Sequence, residues 1–296
     1  MHLSENYTRR TALTALASVS GAALLGGAAS TQETSAQARP DASAPGSLRQ
    51  SVSRWCYGKV PLDVLCQAAN DMGIQGIDLL GENDWPVVKA QGLECAMASG
   101  LGNIPAGWNR PENQERLIVI AQELLPKIAQ AGIKNVVIFS GNREGLPDSE
   151  GITNCARGLE KILPLAESLG VVLCMELLNS KRDHKDYQCD HTAWGVELAK
   201  LLGSEHFKLL YDIYHMQIME GDVIATIQEN IPYIGHFHTG GVPGRNEIDD
   251  TQELNYRRIC QVIADTGFDG FIGHEFVPKA DDPMASLRDA VAICTV

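Results

Sequence analysis

Four short apolar runs in the C-terminal half of the chain end on side chains that can bind a metal ion or transfer a proton. These endings are Met175-Glu176, Tyr211-Asp212, His236-Phe237-His238 and His274-Glu275. Carboxylates remove and return protons in enzymes, and carboxylates together with imidazoles bind divalent cations. The residue types and their repeated position therefore indicate acid–base chemistry, a metal centre, or both.

The elements that must position these groups alternate regularly from residue 50 to the C terminus. Eight apolar runs of strand length are separated by segments of helical periodicity. This pattern predicts a closed (β/α)8 TIM barrel, an α/β fold, as a single domain over residues 50–296. A doubly wound open sheet is the alternative, and it is weakened because no GxGxxG motif follows the first strand. The strands are predicted at Ser51–Cys56, Gly76–Leu80, Glu94–Ala98, Asn135–Phe139, Val171–Glu176, Lys208–Asp212, Tyr233–His238 and Phe271–Glu275. The helices are predicted at Leu62–Met72, Asp84–Gln91, Pro111–Gln130, Asn154–Ser168, Thr192–Leu202, Asp222–Asn230, Glu253–Asp265 and Pro283–Ile293.

A TIM barrel presents its functional groups at the C-terminal ends of its strands. Because side chains alternate along a strand, we expect four of these groups to point together toward the barrel mouth: Glu176, Asp212, His238 and Glu275. Three converging carboxylates would repel one another, and a divalent cation is the simplest compensation. The set suits Mn²⁺ or Mg²⁺ and is compatible with Co²⁺ or Zn²⁺. Each residue alone could instead cap a helix or lie in a solvated loop, but four in register favour a metal site.

Composition limits the partners. The 296 residues carry a formal net charge of -13 and contain no cluster of Lys and Arg. A protein that binds the nucleic-acid backbone needs such a cluster, so a small uncharged or metal-bridged ligand is favoured over nucleic acid.

The eight cysteines are scattered without a CxxC pair. They are therefore predicted to be buried free thiols rather than disulfides or zinc ligands.

The first 38 residues have the pattern of an export signal. Arg9-Arg10 precede an uncharged run from Thr11 to Ser30, and Ala36-Gln37-Ala38 offers a small-residue cleavage site. We therefore predict a twin-arginine-type signal peptide over residues 1–38, a flexible linker over 39–49, and export to the periplasm. A membrane anchor is the alternative. The weak hydrophobicity of the run favours cleavage, which would leave no stable membrane span.

The chain resembles the xylose isomerase-like barrel superfamily and, within it, the hydroxypyruvate isomerase and ketose 3-epimerase group. The resemblance covers about residues 50–279 and rests on several stretches taken together: Met175-Glu176-Leu177-Leu178-Asn179, Tyr211-Asp212-Ile213-Tyr214-His215-Met216-Gln217, Gly235-His236-Phe237-His238, Val242-Pro243-Gly244-Arg245 and Gly273-His274-Glu275-Phe276. It implies that the family's metal ligands fall on the same four residues already found at the strand ends. It also implies that Glu176 and Glu275 form the acid–base pair and that His215 and Arg245 bind the substrate.

The activity implied by the resemblance is isomerisation of a small hydroxy-carbonyl compound, in which a proton moves next to a carbonyl through an enediolate. Arg245 could hold a substrate carboxylate bidentately, which favours hydroxypyruvate and tartronate semialdehyde. His238 departs from this pattern, since hydroxypyruvate isomerases commonly carry glutamine at that position and ketose epimerases carry histidine. Gly241 also stands where those isomerases often have an acid. A ketose 3-epimerase, or a related enzyme acting on keto sugars, is therefore the alternative.

Two further classes are less consistent with the sequence. A barrel endonuclease would need more histidine ligands and a basic face, and a non-catalytic sugar-binding module would lack one of the two glutamates. Proteins of the group that the chain resembles are usually dimers or tetramers, so a homo-oligomer is compatible with the resemblance.

Among the other polar and aromatic residues, a solvated loop face is predicted for Lys181, Arg182 and His184. Either the pocket wall or the core is predicted for Trp55, Trp85 and Trp108.

Overall fold

Eight parallel strands close into a barrel in the computed structural model, which describes residues 48–296. Strands follow one another around the barrel in chain order, and the first pairs with the last. This arrangement confirms the predicted (β/α)8 TIM barrel and rules out the open sheet. The strands are β1 (Arg49–Ser53), β2 (Gly76–Leu80), β3 (Glu94–Ala98), β4 (Asn135–Ile138), β5 (Val172–Glu176), β6 (Phe207–Asp212), β7 (Ile234–Thr239) and β8 (Phe271–His274).

Ten α-helices lie within the described residues. The single helix predicted over residues 154–168 is two helices, because Pro164 has no N–H to continue the first one and instead lies in the first turn of the second. A short helix that the sequence analysis did not predict follows β6 directly, at Ile213–Met219. The helices are α1 (Leu62–Met72), α2 (Trp85–Ala90), α3 (Pro111–Ala131), α4 (Asp148–Leu159), α5 (Leu163–Leu169), α6 (Thr192–Leu202), α7 (Ile213–Met219), α8 (Val223–Asn230), α9 (Tyr256–Asp265) and α10 (Pro283–Cys294).

The predicted signal peptide over residues 1–38 and nearly all of the predicted linker over 39–49 lie outside the described residues. Strand β1 begins at Arg49, the last residue assigned to that linker. Across residues 48–296, no helix is long and apolar enough to cross a membrane. The eight cysteines all lie in this part of the chain as free thiols, and six of them are buried.

A layer of apolar side chains fills the barrel below its mouth. Met97, Val137, Cys174 and Leu210 form this buried cluster inside the ring of strands. Neighbouring residues such as Tyr211 belong to the larger core between strands and helices, because successive side chains on a strand point to opposite faces. Asp212 therefore lies on the same face as Leu210, one step closer to the mouth.

Strand β2 is irregular where it carries Asp78. Its pairing with β3 changes register on both sides of this residue. Leu79 has a φ of 58°, in the left-handed region that branched side chains rarely adopt. Bulges of this kind redirect a side chain and are frequent beside functional sites. Asp78 is fully buried inside the barrel.

Candidate metal and active site

Four side chains at or next to the C-terminal ends of strands β5 to β8 converge at the barrel mouth. Each of them offers a ligand atom, and these atoms all lie within 4.8 Å of one another. The parallel register places Asp212 beside His238, and His238 beside Gly273. All four side chains are buried. The structure therefore brings together every residue that the sequence analysis assigned to the metal site: Glu176, Asp212, His238 and Glu275.

Asp212 both caps a helix and contributes to the cluster. Its Oδ1 accepts a hydrogen bond from the backbone N–H of His215 at 3.1 Å, which starts helix α7. Its Oδ2 accepts from Nη2 of Arg245 at 2.8 Å. The helix-cap interpretation and the ligand interpretation are compatible here, because the two oxygens of the carboxylate face different partners.

Glu275 is held through both of its carboxylate oxygens. Nε1 of Trp55 donates to Oε1 at 2.5 Å, and Nη2 of Arg245 donates to Oε2 at 2.5 Å. Nδ1 of His238 lies 2.7 Å from the same Oε2. Trp55 comes from the 3-10 turn that follows β1 and is 49% exposed, so it lines the mouth. The other two tryptophans considered for the pocket wall, Trp85 and Trp108, are both buried.

Arg245 lies among the candidate ligands. Its guanidinium donates to Asp212 and Glu275 through Nη2, and Nη1 lies 2.6 Å from Nε2 of His215. Nε donates to the backbone carbonyl of Glu275 at 3.1 Å. The backbone at Arg245 has a φ of 56°, a left-handed conformation that is uncommon for arginine. The sequence analysis expected this residue to bind the substrate, whereas its partners in the structure are His215 and two of the candidate ligands.

His215 is fully buried next to this arginine. Because a guanidinium can only donate hydrogen bonds, Nε2 of His215 accepts and the ring is neutral. Burial, reinforced by the charge of Arg245, holds the pKa of His215 well below its usual value. Nδ1 lies 2.6 Å from the side-chain amide nitrogen of Asn179. His215 is thus a rigid neutral group on one wall of the site.

His184 is a site residue that the sequence analysis assigned to a solvated loop. It is half-buried, and its ring packs edge-on against His215 with 5.2 Å between centroids. Burial lowers its pKa. The one sequence signal for a role of His184 in the site was its position five residues after Asn179. A loop histidine at that spacing is a weak signal.

The cluster carries an excess of buried negative charge. Burial raises the pKa of Asp212 to about 7, and the charge of Glu275 adds to this although Arg245 opposes it. Burial also disfavours ionisation of Glu275, but Arg245 and His238 outweigh it and hold the pKa of Glu275 well below its usual value. In the same way, the neighbouring carboxylates outweigh burial and raise the pKa of His238.

These residues fit a divalent cation. Within the described residues, neither ring nitrogen of His238 makes a hydrogen bond of good geometry, although the ring is fully buried. Three carboxylates and one imidazole supply hard oxygen donors and a nitrogen donor, which is a set suited to Mn²⁺ or Mg²⁺. Arg245 provides a single positive charge to two of the carboxylates, and a dication would balance the set more fully.

A second buried group lies directly below, around Asp78. Its Oδ2 accepts from Oγ of Ser51 at 2.8 Å and lies 3.1 Å from Nε2 of His236 and 3.5 Å from Nε2 of His238. Although burial opposes ionisation, the two histidines hold the pKa of Asp78 well below its usual range. The sequence analysis missed this group. Its one signal was an acid inside the apolar run Gly76–Leu80.

Comparisons with known proteins show which chains this one is similar to. The family model described as xylose isomerase-like TIM barrel matches residues 66–293. Hydroxypyruvate isomerase of Escherichia coli K12 is 32% identical over 238 residues, which cover 75% of this chain and 90% of that relative. The 2-oxo-tetronate isomerase of Cupriavidus necator is 38% identical over 115 residues, only 39% of this chain and 44% of that relative.

A crystal structure of an AP endonuclease, family 2, from Brucella melitensis has the same fold. It superposes with a TM-score of 0.72 over 81% of this chain and 97% of that chain, at 20% sequence identity. At this identity the similarity shows the fold alone. With the barrel, the family match and the near full-length relative taken together, the chain belongs to the xylose isomerase-like TIM barrel family.

Proposed function

We propose that this protein is a metal-dependent isomerase that moves a proton next to the carbonyl of a small hydroxy-carbonyl acid, with hydroxypyruvate and tartronate semialdehyde as the interconverted pair. The observation that carries the proposal is the buried cluster of two glutamates, one aspartate and one histidine, whose ligand atoms lie within 4.8 Å of one another. The similarity to the isomerase of Escherichia coli over 90% of its length supports the same reaction class.

Glu176 and Glu275 are the proposed acid–base pair. They lie on β5 and just after β8, so they approach the mouth from different sides of the ring. One glutamate removes the proton from the carbon next to the carbonyl, and the same or the other glutamate returns a proton to the neighbouring carbon of the resulting enediolate. The low pKa of Glu275, which Arg245 and His238 maintain against burial, keeps this group ionised and ready to accept a proton.

The divalent cation would be held by Glu176, Asp212, His238 and Glu275, and when bound it would supply positive charge to the oxygens on which negative charge develops. The protein's own groups define the rest of the pocket. His215 presents a neutral ring at one wall, and Trp55 shields Glu275 at another.

Arg245 is the feature that favours an acidic substrate. Its guanidinium lies 5.6 Å from the ring centroid of Trp55 and 5.2 Å from that of Tyr214, so it is a positive charge fixed between two aromatic side chains. A substrate that carries a carboxylate gains a charge-assisted contact here that a neutral ketose does not.

The second candidate is a ketose 3-epimerase or a related enzyme acting on keto sugars. The residue that favours it is His238, because the family members that this chain resembles use histidine at this position for epimerisation and commonly use glutamine for hydroxypyruvate. Both candidates need the same acid–base pair, but an epimerase returns the proton to the opposite face of the carbon that lost it, whereas the isomerase returns it to the neighbouring carbon.

A substrate panel with and without metal tests the proposal. The purified protein is treated with a chelator, dialysed, and assayed against hydroxypyruvate, tartronate semialdehyde and a series of neutral ketoses, before and after addition of Mn²⁺ or Mg²⁺. We expect interconversion of the two acids, lost on chelation and restored by the metal. Turnover of neutral ketoses alone would support the epimerase instead, and activity that survives complete removal of metal would contradict the metal-dependent mechanism.

A further inference from the structure

We propose that Asp78 positions His238 so that Nδ1, and not Nε2, is the nitrogen presented to the cation. This inference rests on the metal site of the proposed function. Nδ1 of His238 lies 2.7 Å from Oε2 of Glu275 and 3.6 Å from Oε1 of Glu176, whereas Nε2 lies 3.5 Å from Oδ2 of Asp78. The two nitrogens of one buried ring therefore face two different sets of carboxylates.

Asp78 is itself fixed in place by its neighbours. Ser51 donates its hydroxyl to Oδ2 at 2.8 Å, and Nε2 of His236 lies 3.1 Å from the same oxygen. Ser51, Asp78, His236 and His238 are all fully buried. With the Ser51 hydroxyl and the His236 ring nitrogen at hydrogen-bond distance from Oδ2, the carboxylate has one preferred orientation, and that orientation faces the His238 ring.

A bulge in β2 and a glycine in β8 coincide at this contact. The bulge in β2, with Leu79 at a φ of 58°, turns Asp78 into the barrel. On β8, which is separated from β2 by β1, position 273 is glycine, and a Cβ built there would come within 2.1 Å of Oδ2 of Asp78 and 2.9 Å of Cδ2 of His238. Any larger residue at position 273 would push the aspartate and the histidine apart.

The chemistry of a carboxylate beside a histidine ring explains the arrangement. A carboxylate that accepts a hydrogen bond from one ring N–H keeps the proton on that nitrogen. The other ring nitrogen then has a free lone pair for a metal ion, and its basicity is increased. Asp78 would keep the proton of His238 on Nε2. The lone pair of Nδ1 would then point at the cluster formed with Glu176, Asp212 and Glu275.

The first test compares Mn²⁺ affinity, measured by electron paramagnetic resonance, in three variants. Asp78→Asn removes the charge but keeps the shape, and we expect Mn²⁺ to bind about 10 to 100 times more weakly, the usual cost of losing such a partner. Ser51→Ala leaves the carboxylate in place and should weaken binding only about threefold or less. Asp190→Asn is the matched control, since Asp190 is also buried and hydrogen-bonded but its partners, among them Arg143, lie outside the cluster. It should bind Mn²⁺ like the parent protein.

The second test reads the coordinating nitrogen directly. The parent protein is labelled with ¹⁵N-histidine and loaded with ¹¹³Cd²⁺, and the His238 signals are assigned by their loss in His238→Gln. We expect ¹¹³Cd coupling to Nδ1 and a protonated Nε2. This measurement decides the question even if Asp78→Asn does not fold.

The outcomes separate this inference from the proposed function. Cadmium on Nε2, or an Asp78→Asn variant that folds and binds Mn²⁺ as tightly as the parent, would overturn the role of Asp78 and leave the metal site standing. A parent protein that binds neither ion would overturn the metal site and, with it, this inference.

Discussion

The two halves of the barrel supply different kinds of group to its mouth. Strands β5 and β6 end on a candidate ligand, β7 carries one as its next-to-last residue, and β8 ends directly before one. The last residues of β1 to β4 are instead uncharged: Ser53, Leu80, Ala98 and Ile138. The first half nevertheless reaches the site, through Trp55 after β1 and Asp78 inside β2. In the proposed function, the second half therefore provides the reactive groups, and the first half contributes side chains that contact two of them.

The two halves also differ in how their charges are satisfied. In the second half, Asp212 and Glu275 share one guanidinium nitrogen of Arg245, so several charged groups compete for few partners. In the first half, Asp78 is the single carboxylate in its group and has Ser51 and His236 beside the same oxygen. Charge crowding is typical of catalytic groups, whereas Oδ2 of Asp78 has hydrogen-bond partners of its own.

The largest expected effect is on a reactive group of the second half. Glu275→Gln keeps the shape and the contact with Trp55 but cannot accept a proton. We expect kcat for the interconversion of hydroxypyruvate and tartronate semialdehyde to fall by at least about 10²-fold, the usual contribution of a positioned acid or base. Thermal unfolding followed by circular dichroism should show that the variant still folds.

A glutamate from the first half serves as the control for that variant. Glu94 begins β3 at the opposite end of the barrel, where its exposed side chain pairs with Arg49. Glu94→Gln should leave kcat unchanged, because an exposed ion pair far from the mouth contributes little. Full activity in Glu275→Gln would show that this glutamate is not part of the acid–base pair. The division of roles between the two halves would then be wrong.

The sequence carried enough information for the second half because its signals are local. Each candidate ligand comes directly at the end of an apolar run, and alternation along the strand fixes the side on which it lies. The barrel itself followed from counting such runs. The division into α4 and α5 also had a local signal in Pro164, and the start of α7 had one in the capping residue Asp212.

The supporting groups of the first half could not be predicted in the same way. Asp78 lies inside an apolar strand, and its partner His236 is 158 residues away in the chain. Whether Trp55 lines the mouth or the core depends on the turn after β1, which shows no distinctive pattern. One supporting group of the second half was also incompletely predicted: Arg245 was found by resemblance, but its contacts with Asp212 and Glu275 depend on a left-handed backbone that the sequence does not indicate.

An intermediate effect is expected at the seam that joins the two halves. His274 of β8 is fully buried, and its Nε2 lies 2.8 Å from Oε1 of Gln50 in β1. Burial lowers the pKa of His274 to about 4. Because the pKa is depressed in the folded state, the neutral ring stabilises the fold fully above the usual histidine pKa. That stability is lost as the pH falls from about 6.5 to about 4, at a cost of about 3 kcal/mol.

Denaturant unfolding of the metal-free protein at pH 7, 5.5 and 4.5 measures this effect. The variant His274→Gln retains a hydrogen-bond donor for Gln50 but cannot become charged in this range. We therefore expect the free energy of unfolding to fall less steeply with acid in the variant than in the parent. Parallel losses in the two proteins would mean that the seam does not set the acid sensitivity of the barrel.

The smallest effect, and the sharpest test of the division between the halves, is expected at Trp55. Trp55→Phe keeps an aromatic ring at the mouth but removes the N–H that donates to Oε1 of Glu275. A hydrogen bond to a charged group is worth enough to change a rate about tenfold, so we expect kcat to fall by about that factor. The fold should be unaffected because the side chain is 49% exposed.

Trp85→Phe provides the matched control for that variant. Trp85 is a buried residue of the first half, and its Nε1 donates to the backbone carbonyl of Leu80, away from Glu275. Its loss should lower the free energy of unfolding and leave kcat unchanged, the reverse of Trp55→Phe. If both substitutions affected stability alone, the first half would support the barrel without orienting the reactive carboxylate. A fall in kcat confined to Trp55→Phe would instead show that Trp55, which transfers no proton itself, affects proton transfer by Glu275.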